Sequence, residues 1–510
     1  MIRRLWLRAI SLLALLVALP MACWAQAPLA TTAGGPVEGS NINGIDVFRG
    51  IPFAAPPLGA LRWRAPQPGE KWTAVRPAIA AGPSCIQQPG VSLENGGDPG
   101  RLDEDCLYLN VFSPRVERAA RRPVLVWIHG GALVFGSGGL PIYDGSALAS
   151  RDVVVVTINY RLGALGFFAH PALDRETPGG PVNFGLLDQI AALRWVRSNI
   201  EAFGGDPARV TIAGQSAGAQ SVLALMVSPL AAGLFSAAIA QSPYGIPSHS
   251  RAKAKSTGIA LADAMGLAGA RASATSLRGL PADRLAERGQ KFSLAPSFIV
   301  GDAAVPMPLL EAFQKGRAQP VPLMIGSNSA DASVVEAFGI DPAVLVQKMG
   351  HARILVRALY PGVTDPRQLG RDVARDALFT AFARRIAYLH STQAATWRYY
   401  FNHVGPNANT GVLHGGEVPF VLGTLEGCQC LGRPVTPLDR AVERRTADRW
   451  AAFVHSQRPA GNVEWPPDDR RQGQVLEIGD EETVRPGFMA PRLNAFIAAL
   501  NFAGRSSKKD

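Results

Sequence analysis

Along most of the chain, short uniformly apolar runs alternate with stretches whose apolar positions recur every three to four residues. Val124–Ile128, Val153–Asn159, Val210–Ala213, Ala237–Gln241, Val321–Ile325 and Trp397–Phe401 are apolar on consecutive positions, the mark of strands buried on both faces. Between Leu186 and Phe203 the residues Leu187, Ile190, Leu193, Trp195, Val196 and Ile200 keep helical spacing. Ala217–Val227, Ala441–Ser456 and Arg492–Asn501 read as helices in the same way, and 252–296 as more polar helices outside the sheet. Strands separated by helices predict an α/β fold, a sheet covered by helices on both faces. No internal repeat or long linker interrupts the pattern.

The N-terminus does not belong to it. Arg3, Arg4 and Arg8 precede an apolar run from Ala9 to Leu19, and small residues follow at Ala22, Cys23, Ala25 and Ala27. This is a signal-peptide layout over residues 1–25, cleaved after Ala25 or alternatively after Ala27, and it predicts a secreted or periplasmic protein. The apolar core is about half the roughly 20 residues of a membrane span. Pro20 and Met21 fit poorly with lipidation at Cys23. The mature chain is expected to be one domain over 26–504 with a disordered tail at 505–510.

Composition then changes little. Of 510 residues, 47% are hydrophobic and 18% charged, which excludes a disordered or collagenous chain. The net charge of +11 falls to about +8 without the leader's three arginines. A basic balance could attract nucleic acid, but no recognition motif accompanies it. Beyond Cys23 the cysteines are Cys85, Cys106, Cys428 and Cys430. In an oxidising compartment these can pair, Cys85–Cys106 closing a loop. Cys428 and Cys430, two apart, would strain a bridge and are read as unpaired or locally bridged.

The chemistry is concentrated in Gly214-Gln215-Ser216-Ala217-Gly218, a G-x-S-x-G run after a strand and before a helix. Such a turn exposes a serine hydroxyl at a helix N-terminus, and its glycines avoid conflict between strand and helix. His129-Gly130-Gly131-Ala132 follows the strand Val124–Ile128, as the HGGG-type loop of lipases and esterases does. The backbone N–H groups of Gly131, Ala132 and Ala217 are the candidate oxyanion donors.

Further motifs in order identify the chain as resembling the type-B carboxylesterases, over nearly all of the mature sequence. Phe48-Arg49-Gly50-Ile51-Pro52-Phe53-Ala54-Ala55-Pro56-Pro57, Glu104-Asp105-Cys106-Leu107-Tyr108-Leu109-Asn110-Val111, Asn183-Phe184-Gly185-Leu186-Leu187-Asp188-Gln189 and Phe203-Gly204-Gly205-Asp206-Pro207 are similar to that family's signatures. The resemblance implies an α/β-hydrolase fold, with a large, mixed, mostly parallel sheet, and a serine esterase acting without metal or organic cofactor on small-molecule esters. It makes Ser216 the nucleophile and His414, in Gly411-Val412-Leu413-His414-Gly415-Gly416-Glu417, the base. Asp331 falls where the family usually has glutamate, with Glu336 and Asp341 as rivals. Arg62 with Glu104, and Arg161 with Asp188, resemble two structural ion pairs, and Ser242 a supporting serine near the site.

Departures from the family pattern narrow the substrate. Gln215 replaces the usual glutamate before the serine, and the Cys85–Cys106 loop has no aromatic residue to hold a quaternary ammonium. Both argue against choline esters. The basic charge is compatible with anionic esters, such as the polycarboxylate (tricarballylate-type) esters of fumonisin-like toxins. A non-catalytic, esterase-like binding protein is the reading from another class, and it conflicts with the retained serine and histidine.

Overall fold

The computed structural model describes residues 27–88, 97–291, 297–405, 411–428, 430–470 and 473–506. The expected leader, residues 1–25, lies outside them. The expected tail does so only from residue 507, because the last helix continues to Ser506.

The sheet has eleven strands. In chain order they are β1 (Ser40–Ile42), β2 (Ile45–Pro52), β3 (Tyr108–Ser113), β4 (Arg122–Ile128), β5 (Val154–Ile158), β6 (Gly205–Gln215), β7 (Ala237–Gln241), β8 (Leu323–Asn328), β9 (Thr396–Phe401), β10 (Val475–Ile478) and β11 (Glu482–Arg485). Their spatial order is β11-β10-β9-β8-β7-β6-β4-β5-β3-β2-β1. From β10 through to β5 all neighbours are parallel, and the outer pairs at both edges are antiparallel. The mixed, mostly parallel α/β-hydrolase sheet is therefore present. The edge strands, less uniformly apolar than the centre, were not legible as buried runs.

Alternation along β4 shows why the central strands are apolar throughout. Val124, Val126 and Ile128 join one core cluster and Leu125 and Trp127 the other. The first is roofed by helices α1 (Phe184–Asn199), α2 (Ala217–Val227) and, further along the chain, Ala381–His390. The second is roofed by Pro437–Ser456, whose Trp450 is fully buried. A capping box between Thr436 and Asp439 starts that helix four residues earlier than its apolar spacing suggested. Two polar helices, α3 (Arg251–Ala264) and α4 (Ala282–Lys291), lie outside the sheet and share a satellite cluster with Phe168 and Trp63. We number the remaining long helices α5 (Ala381–His390), α6 (Pro437–Ser456) and α7 (Ala490–Ser506). Just before α5 the chain makes one stretch of π-helix, Arg375–Thr380.

Register levels the strand ends. Ile128 pairs with Gly214, Gly214 with Ala240, and Gln241 with Gly326. The loops after β4, β6, β7 and β8 therefore leave the sheet at one height. Those loops carry Gly131, Ser216, Ser242 and Asp331.

Candidate active site

Ser216 stands between β6 and α2 with φ 58° and ψ −121°, a backbone conformation that costs about 1–3 kcal/mol. The surrounding structure holds it there: its amide donates to the Gln241 carbonyl at 2.8 Å and its carbonyl accepts from Gln220 N at 2.9 Å. The flanking glycines are required by close approach. A Cβ on Gly214 would lie 2.7 Å from the Ile128 carbonyl oxygen, and one on Gly218 would lie 2.0 Å from it. Helix α2 thus starts directly against the end of β4, with its unpaired first-turn amides at the serine.

His414 and Asp331 come together from loops 83 residues apart: Asp331 Oδ1 lies 2.9 Å from His414 Nδ1. Backbone and hydroxyl contacts bind the two loops. Ala330 N donates to Val412 O at 2.8 Å, Val412 N to Ser329 Oγ at 2.8 Å, and His414 N to Ser333 Oγ at 2.9 Å. Asp331 is fully buried, and its second oxygen accepts from Ser242 Oγ at 2.9 Å and Asn328 N at 2.7 Å. Three hydrogen bonds thus fix the Asp331 carboxylate against the imidazole. The rivals are engaged elsewhere. Glu336 meets Arg371 at 3.0 and 3.1 Å, and Asp341 caps the helix Pro342–Lys348.

The loop after β4 turns through three consecutive residues of positive φ, Gly131 (99°), Ala132 (52°) and Leu133 (62°). It presses on the serine turn: a Cβ on Gly130 would be 3.3 Å from Ser216 Cβ. The loop that carries Gly131 and Ala132 thus abuts the turn that carries Ser216 and Ala217. Beneath them His129 is buried, stacked on Tyr160 with centroids 4.3 Å apart, and burial pushes its pKa down to about 4. It is a neutral packing group, not a second base. Leu133, Val134, Phe167, Phe168 and Leu261 line a shallow, mostly apolar groove beside this loop.

Three features escaped the sequence reading. Gln215 Nε2 lies 3.2 Å from His414 Nε2, the ring nitrogen turned away from Asp331. Phe379, carried by the π stretch, packs on His414 with ring centroids 5.1 Å apart, and nothing in its local pattern signals this. Glu417 is fully buried with no cationic partner among the described residues, accepting from Gln241 Nε2 at 3.0 Å and from Asn328 Nδ2. Burial and, secondarily, Asp331 raise its pKa. Gln241 Oε1 in turn accepts from Trp450 Nε1 at 3.0 Å.

The supporting contacts expected from sequence are present. Arg62 Nε donates to Glu104 at 2.8 Å, and Arg161 makes two 2.7 Å bonds to buried Asp188. Cys85 and Cys106 are bridged and buried, and Cys428 is bridged locally to Cys430, which settles the open pair. His403, two residues past β9, lies between Asp439 and Asp480 at 2.8 and 2.7 Å. Among the described residues no group of three or more His, Cys, Asp or Glu side chains is placed to hold a metal ion.

A family model for the carboxylesterase family matches residues 26–358 and 364–496. A fumonisin B1 esterase of Sphingopyxis macrogoltabida is 35% identical over 491 residues, covering 91% of this chain and 89% of the relative. A para-nitrobenzyl esterase of Bacillus subtilis (strain 168) is 35% identical over 474 residues, covering 89% and 96%. A solved PNB esterase structure superposes with a TM-score of 0.82 at 30% identity, over 92% of this chain and 99% of its own. With these matches across nearly the whole chain, on an eleven-stranded hydrolase sheet, the protein belongs to the carboxylesterase family and is a carboxylic ester hydrolase.

Proposed function

We propose that the ester bond is cleaved through an acyl-enzyme on Ser216. Its Oγ attacks the ester carbonyl carbon while His414 Nε2 takes the hydroxyl proton, and the carbonyl oxygen becomes an oxyanion facing the amides of Gly131, Ala132 and Ala217. Collapse expels the alcohol, which receives the proton from His414. A water molecule, deprotonated by the same imidazole, then releases the acid. Asp331 keeps the Nδ1 proton in place and stabilises the imidazolium. The observation that carries this reading is the 2.9 Å contact between Asp331 and His414, beside a serine on a strained strand-to-helix turn. Its test is turnover of a para-nitrophenyl ester together with fluorophosphonate labelling. Ser216→Ala is expected to abolish both, and full activity in that variant would overturn the assignment.

Export to the periplasm or the medium follows from the leader at 1–25 and agrees with two bridged cysteine pairs. Signal cleavage on expression in a bacterial host, read by mass spectrometry of the mature N-terminus, tests it. Polycarboxylate esters of the fumonisin type are a second substrate reading, favoured by the basic charge and by the name of one relative. A panel of short, long, aromatic and tricarballylate esters separates this from a general esterase. Loss of kcat/KM for the anionic esters at high salt would mark electrostatic steering.

A further inference from the structure

The loop after β4 is gripped by a side chain from outside the catalytic segments. Gln87 stands two residues past Cys85, whose bridge to Cys106 is buried. Its side chain is buried too, and both ends of its amide meet the backbone of Gly136. Gly136 N donates to Gln87 Oε1 at 2.8 Å, and Gln87 Nε2 donates to Gly136 O at 2.9 Å. Nε2 also donates to Cys85 O at 3.0 Å. A carboxamide suits this place because it offers an acceptor and two donors in one plane.

Backbone contacts carry the grip toward the serine. Gly136 has φ 112°, and a Cβ there would lie 2.4 Å from His129 Nδ1 and 2.9 Å from Gly130 O. Its neighbour Phe135 is as close to Gly131: a Cβ on Gly131 would lie 2.0 Å from Phe135 O, and Phe135 N donates to Gly131 O at 3.0 Å. The segment that Gln87 holds thus touches Gly130 and Gly131, and Gly130 in turn touches the serine turn. Beyond Gly136 the loop is tied separately, with Ser137 Oγ and Gly138 N donating to Asn159 Oδ1 at 3.1 and 2.8 Å. Loss of Gln87 should therefore loosen the turn without unravelling the loop. It would leave two buried backbone groups of Gly136 without the partners they have.

We propose that Gln87 is a positioning residue for the oxyanion donors: by pinning Gly136 it sets where the amides of Gly131 and Ala132 stand relative to Ser216. This rests on the acyl-enzyme reading above. It also gives the Cys85–Cys106 bridge a part in the rate, because Gln87 is bound to the carbonyl of a bridged residue.

The test compares the wild type with Gln87→Met, which fills the space without hydrogen bonds, and Gln87→Glu, which keeps the acceptor and regains a donor only when protonated. The probe is an alkyl trifluoromethyl ketone. Ser216 Oγ adds to its carbonyl carbon, the hydroxyl proton passes to His414, and the carbonyl oxygen becomes the oxyanion. Fluorophosphonate titration counts active sites, so a loss of folded protein does not enter kcat. Per active site, Gln87→Met is expected to lower kcat about 30-fold with KM within about twofold, and to raise the ketone Ki by a matching factor, because displaced donors serve the oxyanion and not the bound ester. Gln87→Glu is expected to recover relative to the wild type as pH falls, since burial favours the protonated carboxyl that can donate to Gly136 O. If Gln87→Met does not fold, that recovery decides. A wild-type Ki no lower than KM would sink the oxyanion reading itself. A wild-type Ki far below KM that both variants keep, at every pH, would overturn the role of Gln87 alone.

Discussion

The side-chain amide of Gln215 donates to Nε2 of His414 across 3.2 Å, so the imidazole is held at both nitrogens, by the residue next to Ser216 and by Asp331. An amide can donate to neutral imidazole, and a carboxylate cannot. With glutamine at this position, the ring nitrogen proposed to accept the Ser216 proton has a donor beside it rather than a second carboxylate.

Gln215→Glu is accordingly expected to raise the kinetic pKa of the base by about one unit, since an opposite charge within hydrogen-bond reach favours the imidazolium. The acid limb of kcat/KM for a neutral ester would move to higher pH, with activity at pH 6 falling accordingly. Cationic esters would gain relative to neutral ones. A limb that stays in place would show that the contact does not bear on the base.

Asp331→Asn is expected to lower kcat by about 10³–10⁴-fold with little change in KM, because the imidazole loses both its proton acceptor and its tautomer. Asp331→Glu, restoring the residue usual in the family, should retain more activity than the asparagine variant. Glu336→Gln is the control: its carboxylate is bound by Arg371 and its loss should leave the rate unchanged. Steady-state kinetics on one ester reads all three, and a rate loss confined to Glu336→Gln would reassign the acid.

Acid stability should report on His129. Its folded pKa of about 4 lies below the ordinary histidine value of 6.5. The unfolded chain therefore binds more protons between those values, and stability falls as pH drops through that window. The contribution is about 2–3 kcal/mol lost by pH 4.5. Denaturant unfolding at pH 7 and pH 4.5 should show His129→Asn losing less stability over that interval than the wild type, and an equal loss in both would count against it. Glu417 works in the opposite sense, its raised pKa making the folded state bind the extra proton above the normal carboxylate range.

What the sequence made legible follows from where the constraint is local. Ser216 was readable because strand, glycine, serine, glycine and helix are contiguous, and the close approach of Ile128 O to Gly214 and Gly218 enforces that spelling. Asp331 and His414 were readable through motif resemblance alone, since their meeting depends on a loop-to-loop contact spanning 83 residues. Phe379 had no such motif. Its place at the ring comes from the π stretch at Arg375–Thr380, a change of helical pitch that hydrophobic spacing does not encode. The Glu417–Gln241–Trp450 chain was hidden for a related reason: its members sit on a loop, a strand end and α6, and only tertiary packing aligns them. The outer antiparallel strands were missed because half-exposed residues break their apolar runs.

The levelled strand ends separate two tasks that evolution can then vary independently. Register through Ile128, Gly214, Ala240, Gln241 and Gly326 fixes where the bond-breaking groups stand. Segments outside that frame, such as α3 and α4, take no part in that register. Grafting such segments from a relative with a different diet should thus transplant substrate choice onto an intact reaction centre, and variants from directed evolution should accumulate their useful changes there.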